Sequence, residues 1–308
     1  MNKIVAICGP TAVGKTAYSI EIAKKFDGEI VSCDSMQLYK YMDIGSAKPS
    51  SEELNQVKHH LIGIVDPSEM FSVAKYKELA NDAIDDIISR GKLPIIAGGT
   101  GLYLDALLYD LDFAAAPSDS TLRDKLYKIA EEKGNLELHA ILQECDPSSA
   151  KRIHPNNVRR VVRAIESAKS GVQLKDFAKD LSLNDKYEFI LIGLRRDREE
   201  LYDRINRRVD VLVKEGLFEE VKMLREMGLS ESDISMKGIG YKEVLAYFDG
   251  EYDLETAIDT IKKNTRHFAK RQITWLKRYD DMKWFDLSES KEDKDSIREI
   301  ITWLEKGL

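Results

Sequence analysis

Eight residues near the N-terminus carry the clearest chemistry. Gly9-Pro10-Thr11-Ala12-Val13-Gly14-Lys15-Thr16 fills the pattern G-x-x-x-x-G-K-[ST] at every defined position. Gly9 and Gly14 let the backbone curl until its N–H groups converge on an anion. A helix starting at that loop adds its positive end. Lys15 can reach the outer phosphates of a bound chain. The Thr16 hydroxyl suits magnesium, a hard cation that prefers oxygen ligands. The loop therefore predicts a cradle for a phosphate chain but does not name a reaction.

A hydrolase or motor built on such a loop carries an aspartate after a second apolar strand, where it holds the metal. Here the run Leu93–Ala97 leads instead into Gly98-Gly99-Thr100-Gly101, with no acid at its end. The well-placed acid is Asp34, after Ile30–Cys33 and ahead of Ser35-Met36-Gln37. A carboxylate at a strand's carboxyl end can take a proton from an incoming nucleophile or hold a metal. It can equally cap a turn, and position alone does not separate these roles. The departure from the hydrolase pattern points toward group transfer.

Two further stretches are basic and free of acids. Residues 151–163 hold five Lys/Arg and residues 262–278 hold seven. In the second, helical spacing places His267, Arg271, Thr274 and Arg278 on one face and Ile261, Phe268, Trp275 and Tyr279 on an apolar stripe. The chain as a whole carries a net charge of -7, which argues against a nucleic-acid partner. Two local acid-free segments in such a chain nevertheless match the footprint expected for a phosphate backbone. A solvated helix face is the plainer alternative. Residues 195–208 mix six arginines with four acids. There Arg204 and Arg208, one helical turn apart, could reach a diphosphate or pair with Asp203 and Glu200.

These groups need a scaffold. Ile4–Ile7, Ile30–Ser32, Leu61–Val65, Leu93–Ala97 and Phe189–Leu194 are continuous apolar runs without alternation, as in parallel strands buried on both faces. Helical patterns such as Thr16–Phe26 and Ser72–Ser89 lie between them. The expected fold class is α/β, a P-loop doubly wound parallel sheet flanked by helices. The alternation breaks after Leu111. Ala114–Ser118 reads as a connector with N-cap candidates at Ser118 and Asp119. Residues 117–187 then read as a helical insertion domain, with Asp146-Pro147 starting a helix and Gly171 ending one. Residues 1–116 and 188–308 form the core, the latter helical over 197–280, with a possible last strand at Met282–Leu287 and a terminal helix.

Composition limits the classes further. The chain has 308 residues, 43% hydrophobic and 33% charged, enough to bury a core without disorder. No apolar run approaches the ~20 residues of a membrane helix, and the N-terminal run lacks a signal-peptide layout. Three scattered cysteines, Cys8, Cys33 and Cys145, suit a reducing compartment and offer no zinc-ligand spacing. A cytoplasmic monomer is expected.

With these pieces in view, the sequence resembles the bacterial tRNA dimethylallyltransferases over almost its whole length. The resemblance rests on Gly9–Thr16, Asp34–Tyr39, Met42–Pro49, Gly98–Tyr103, Ile239–Tyr241 and Lys270–Leu276, in that order. It implies transfer of a dimethylallyl group from its diphosphate to N6 of the adenosine on the 3′ side of the tRNA anticodon. Residues 9–16 and an arginine, Arg204 or Arg208 with Arg208 preferred, would hold the diphosphate with magnesium on Thr16. Lys15 would stabilise charge as the allylic C–O bond breaks, Asp34 would accept the amine proton, Thr100 would lie near the adenine and the reacting centre, and Ser35, Met36 and Gln37 would contact the extruded base. The insertion would grip the anticodon stem-loop through Arg123, Asn157, Val158, Arg159, Arg160 and Arg163. Gly238, Gly240, Lys242, Lys270, Arg271, Gln272 and Trp275 would complete the RNA surface. Val13 stands where many relatives have a smaller residue, between the fixed positions of the loop. No cysteine and histidine set like the zinc finger of eukaryotic members follows, which implies the bacterial form. A nucleoside or small-molecule kinase shares the loop, the sheet and the aspartate, but leaves the basic segments and the late Lys270–Leu276 motif without a purpose. An RNA-binding module with a decayed loop is at odds with intact Lys15, Thr16 and Asp34.

Overall fold

The structure, a computed structural model, describes residues 2–109, 111, 120–171, 182–289 and 293–308. The elements of the core unit alternate from the start: β1 (Asn2–Cys8), α1 (Lys15–Lys25), β2 (Gly28–Cys33), α2 (Ser51–Gln56), β3 (His59–His60), α3 (Val73–Ser89), β4 (Leu93–Gly98) and α4 (Gly101–Leu108). The helical unit holds α5 (Ser120–Lys133), α6 (Asn135–Cys145), α7 (Pro147–Arg152) and α8 (Val158–Lys169). The core resumes with β5 (Tyr187–Arg195), α9 (Arg198–Glu215), α10 (Leu217–Glu226), α11 (Tyr241–Phe248), α12 (Leu254–Leu276), β6 (Lys283–Asp286) and α13 (Asp293–Gly307).

One parallel sheet runs β3-β2-β4-β1-β5-β6. Ile4–Cys8 of β1, all of β2 and most of β4 are buried, which explains why their sequences are solid apolar runs. Ile7, Ile30, Ile95, Ile192 and Leu194 join Tyr18 and Ile22 of α1 and Ile300 and Leu304 of α13 in the main core. The helical unit has a core of its own, built on Leu126, Leu138, Leu142, Val161 and Ile165.

Local signals behave as their chemistry dictates. Ser72 caps α3, Asp146 caps α7 with Pro147 in its first turn, and Gly171 turns the chain at φ 75°. The run Leu61–Val65, expected as a strand, is not one. Pairing with β2 stops at His60, Leu61 and Gly63 take positive φ, and the run folds back so that Gly63, Ile64 and Val65 donate to Gln37 and Leu38. The compact units divide at Tyr109–Leu183, inside the expected 117–187 at one end and beyond it at the other. The exit and return are adjacent: Asn184 donates to the carbonyls of Leu107 and Leu108. The expected connector Ala114–Ser118 and the caps Ser118 and Asp119 lie outside the described residues. Among the described residues no helix is long and apolar enough to cross a membrane.

Candidate active site

Parallel register brings three loops together. Cys8 of β1, Gly98 of β4 and Cys33 of β2 are aligned partners on neighbouring strands. The segments that follow, Gly9–Thr16, Gly99-Thr100 and Asp34–Gln37, therefore leave the sheet side by side. A basin of about 600 Å³ opens there. Thr11, Lys15, Thr16, Asp34, Ser35, Met36, Gln37 and Thr100 line it, with Arg208 from α9 and Arg271 from α12. Gly238, Gly240 and Lys242 line it too, so residues more than 200 positions apart in sequence meet there.

The phosphate loop has the geometry its sequence calls for. Gly14 takes φ 117° as the cap of α1, which only a residue without Cβ adopts freely. Lys15 folds back on the loop, its Nζ donating to the carbonyls of Gly9 and Pro10 at 3.0 and 2.9 Å. Burial lowers its pKa to about 8, while Asp34 raises it and Arg208 lowers it further. Three arginines brace the surroundings: Arg196 Nε donates to Val13 O at 3.1 Å, Arg204 Nε to Ala12 O at 3.0 Å, and Arg208 to Ala47 O at 3.4 Å. Of the pair Arg204 and Arg208, only Arg208 lines the main basin, and it is the one whose charge acts on Lys15. Burial lowers the Arg208 pKa from its usual value.

Asp34 caps a turn and keeps one carboxylate oxygen unengaged. Its Oδ1 caps a turn by accepting from Met36 N at 2.9 Å, while Oδ2 has no hydrogen-bond partner among the described residues. The Thr100 hydroxyl oxygen accepts from Ser35 N at 3.1 Å, which ties the β4 loop to the aspartate loop. Gln37 holds Ser32 and the Ala47 carbonyl, so it stiffens the same wall.

Several expected RNA contacts have other employment. Gln272 is 6% exposed. Its Oε1 accepts from Thr11 N at 2.8 Å and its Nε2 donates to Gly99 O at 3.0 Å. It is a strut between the phosphate loop and the Thr100 loop, not a surface group. Trp275, one turn on, packs against Gly101 under the guanidinium of Arg278. In the helical unit, Arg123 gives two hydrogen bonds, both 3.0 Å, to the buried carboxylate of Glu166. Arg163 stands 3.6 Å from the same group. Asn157, Arg159, Arg160, Lys270 and Arg271 are exposed, whereas Val158 is half-buried against the helical unit's core.

Sequence reasoning missed Arg196 and Glu220. The first lies in an arginine-rich stretch that carried a signal without a choice among its members. The second lies in α10 and accepts hydrogen bonds from a loop about 175 residues away, and no local pattern marks it. Among the described residues no cluster of His, Cys, Asp and Glu could hold a metal by itself.

Known proteins resemble this chain in sequence and fold. The IPP transferase family model matches residues 37–279. A tRNA dimethylallyltransferase of Alkaliphilus oremlandii is 51% identical over 93% of this chain and 92% of its own. The crystal structure of a full-length tRNA isopentenylpyrophosphate transferase from Bacillus halodurans aligns with TM-score 0.75 at 45% identity, covering 99% of this chain and 96% of that one. A eukaryotic dimethylallyltransferase, seen acting on tRNA, aligns with TM-score 0.82 at 31% identity over 98% of this chain and 78% of that one.

Proposed function

This chain belongs to the IPP transferase family and is a tRNA prenyltransferase, and we propose that it carries out the transfer in the basin at the strand tips. The supporting observation is that Lys15, Arg208, Asp34 and Thr100 share that one basin. The substrates are dimethylallyl diphosphate and the adenosine on the 3′ side of the tRNA anticodon.

The allylic C–O bond breaks and its electron pair leaves with the diphosphate, which places positive character on carbon. Stabilising the departing charge is therefore the main demand on the protein. The loop N–H groups, Lys15 and Arg208 meet it. N6 of adenine is conjugated to the ring and a weak nucleophile, so its proton must be accepted as the new C–N bond forms. Asp34 Oδ2 is the acceptor, with the carboxylate oriented by Met36 N–H. Thr100 and Ser35 hold each other beside it. The base must leave the loop stack to arrive there.

The donors present fit magnesium, a hard cation that prefers oxygen ligands: a threonine hydroxyl and a carboxylate line the basin. Thr16 would hold it, and when bound it would neutralise diphosphate charge. Arg159 and Arg160 on the helical unit, and Lys270 and Arg271 on α12, serve RNA phosphates. The setting is the cytoplasm and the working form a monomer.

Incubation of the protein with unmodified tRNA, magnesium and radiolabelled dimethylallyl diphosphate, without ATP, should place label on a single adenosine. An unlabelled RNA, with ATP turned over on a small substrate, would replace this reading with a kinase. Asp34→Ala should lower kcat by about 10²–10⁴ and spare tRNA affinity. A matching loss of affinity would make Asp34 a binding residue instead.

A further inference from the structure

Glu220 is a buried carboxylate that the transfer chemistry does not use. It sits in the first turn of α10 and is 7% exposed. Oε2 accepts from Asp43 N and Ile44 N, both at 2.7 Å. Oε1 accepts from Gly45 N at 2.9 Å and from the Tyr241 hydroxyl at 2.8 Å. Among the described residues no cation pairs with it, so four neutral donors hold the charge. Three successive N–H groups turned toward one anion form a nest of the kind that elsewhere binds phosphate. Here the anion is a side chain of the same protein.

The loop so gripped is a wall of the basin: Gly45, Ser46, Ala47, Lys48 and Pro49 all line it. Two residues past the nest, the Ala47 carbonyl accepts from Arg208 at 3.4 Å and from Gln37 at 3.2 Å. Lys48 closes the loop by donating to Tyr39 O and Asp43 Oδ1. Glu220 thus fixes one end of a loop whose other end meets the arginine assigned to the diphosphate. Gly45 is part of the fit, because a Cβ there would stand 2.5 Å from the Tyr241 ring. Burial and the adjacent carboxylate push the Tyr241 phenol well above its usual range, which keeps it a donor.

We infer that Glu220 is a positioning residue, which sets the register of loop 43–49 and through it the placement of Arg208 on the diphosphate side of the basin. This rests on the diphosphate reading of Arg208. A neutral amide cannot replace the carboxylate, since an NH2 group would face N–H groups that then lack an acceptor.

The test compares Glu220→Gln, Glu220→Asp and Arg208→Ala by calorimetric titration with inorganic pyrophosphate and by steady-state kinetics. Glu220→Gln should raise the pyrophosphate Kd and the KM for dimethylallyl diphosphate about tenfold in step. Its kcat should fall severalfold as well, because Arg208 also stabilises the departing charge, while its tRNA Kd should change less than threefold, and Glu220→Asp, which keeps the charge, should recover part of the loss. If Arg208→Ala leaves the pyrophosphate Kd unchanged, the diphosphate reading itself falls. If Arg208→Ala raises it and a folded Glu220→Gln does not, or if Glu220→Gln weakens tRNA and pyrophosphate equally, the positioning role alone is overturned. Should Glu220→Gln fail to fold, Gly45→Ala displaces the loop against Tyr241 without touching the charge. An unchanged KM in that variant would equally overturn the inference.

Discussion

The helices α8 and α12 share one sequence feature, a basic stretch without acids, and reach different electrostatic states. Window 151–163 stops just before Glu166, one helical turn later. The Glu166 side chain is 2% exposed and takes Arg123 from α5 and Arg163 from its own helix. Two of the cations expected to face RNA are thereby tied to an internal carboxylate, and Arg159 and Arg160 are left at the surface. Along α12 and just past its end, remote acids take the flanks of the basic stretch: Asp210 holds Lys262 at 2.6 Å and Asp105 holds Arg278 at 2.9 Å. Lys263, Lys270 and Lys277 have no ion pair among the described residues and remain exposed. Charge counted along a window measures only sequence neighbours. Free charge depends on which acids the fold brings across, and here the later helix keeps more of it.

Glu166→Ala probes the difference most strongly. It leaves Arg123 and Arg163 beside a buried void and removes two charge-assisted hydrogen bonds. The expected loss is about 2 kcal/mol, below the ~3–5 kcal/mol of a fully buried pair because both arginines are partly solvated. Hydrogen exchange should show it in α5 and α8 and leave the sheet protected. Unchanged exchange would mean that Arg123 is free for RNA after all. In salt titrations of tRNA binding, Lys270→Ala and Arg271→Ala should each lower the slope of log K against log salt by about one, with affinity falling a few-fold. Arg123→Ala should change that slope least, as its charge is already matched. A larger slope change for Arg123 than for Lys270 would reverse the comparison. A further contrast concerns Lys15, a cation that the loop buries. Its pKa of about 8 lies below its usual value, so the charge is present at pH 7 and lost as pH rises through 8. Pyrophosphate affinity should therefore fall by less than tenfold between pH 7 and 9, as read by calorimetry, and a flat profile would refute this role for Lys15.

Much of the scaffold was legible because its signals are local. Eight contiguous residues define the phosphate loop, solid apolar runs mark strands buried on both faces, and Ser72, Asp146 and Pro147 mark helix starts within one turn. Leu61–Val65 misled because an apolar run states burial and not pairing: its hydrogen bonds go to the loop around Leu38. Asp34 and Thr100 could be read as candidates from strand ends, whereas their closeness depends on β4 lying between β2 and β1.

The sequence by itself determined the chemistry available and the elements that carry it, since both rest on residue types a few positions apart. The tertiary structure alone decided how the buried polar groups are satisfied. Gln272 reaches across 261 residues to Thr11, and Glu220 across 177 to Asp43. A buried donor or acceptor must find a partner wherever the chain topology supplies one. That demand turned an expected RNA contact into an internal strut and an unmarked glutamate into the anchor of the basin wall.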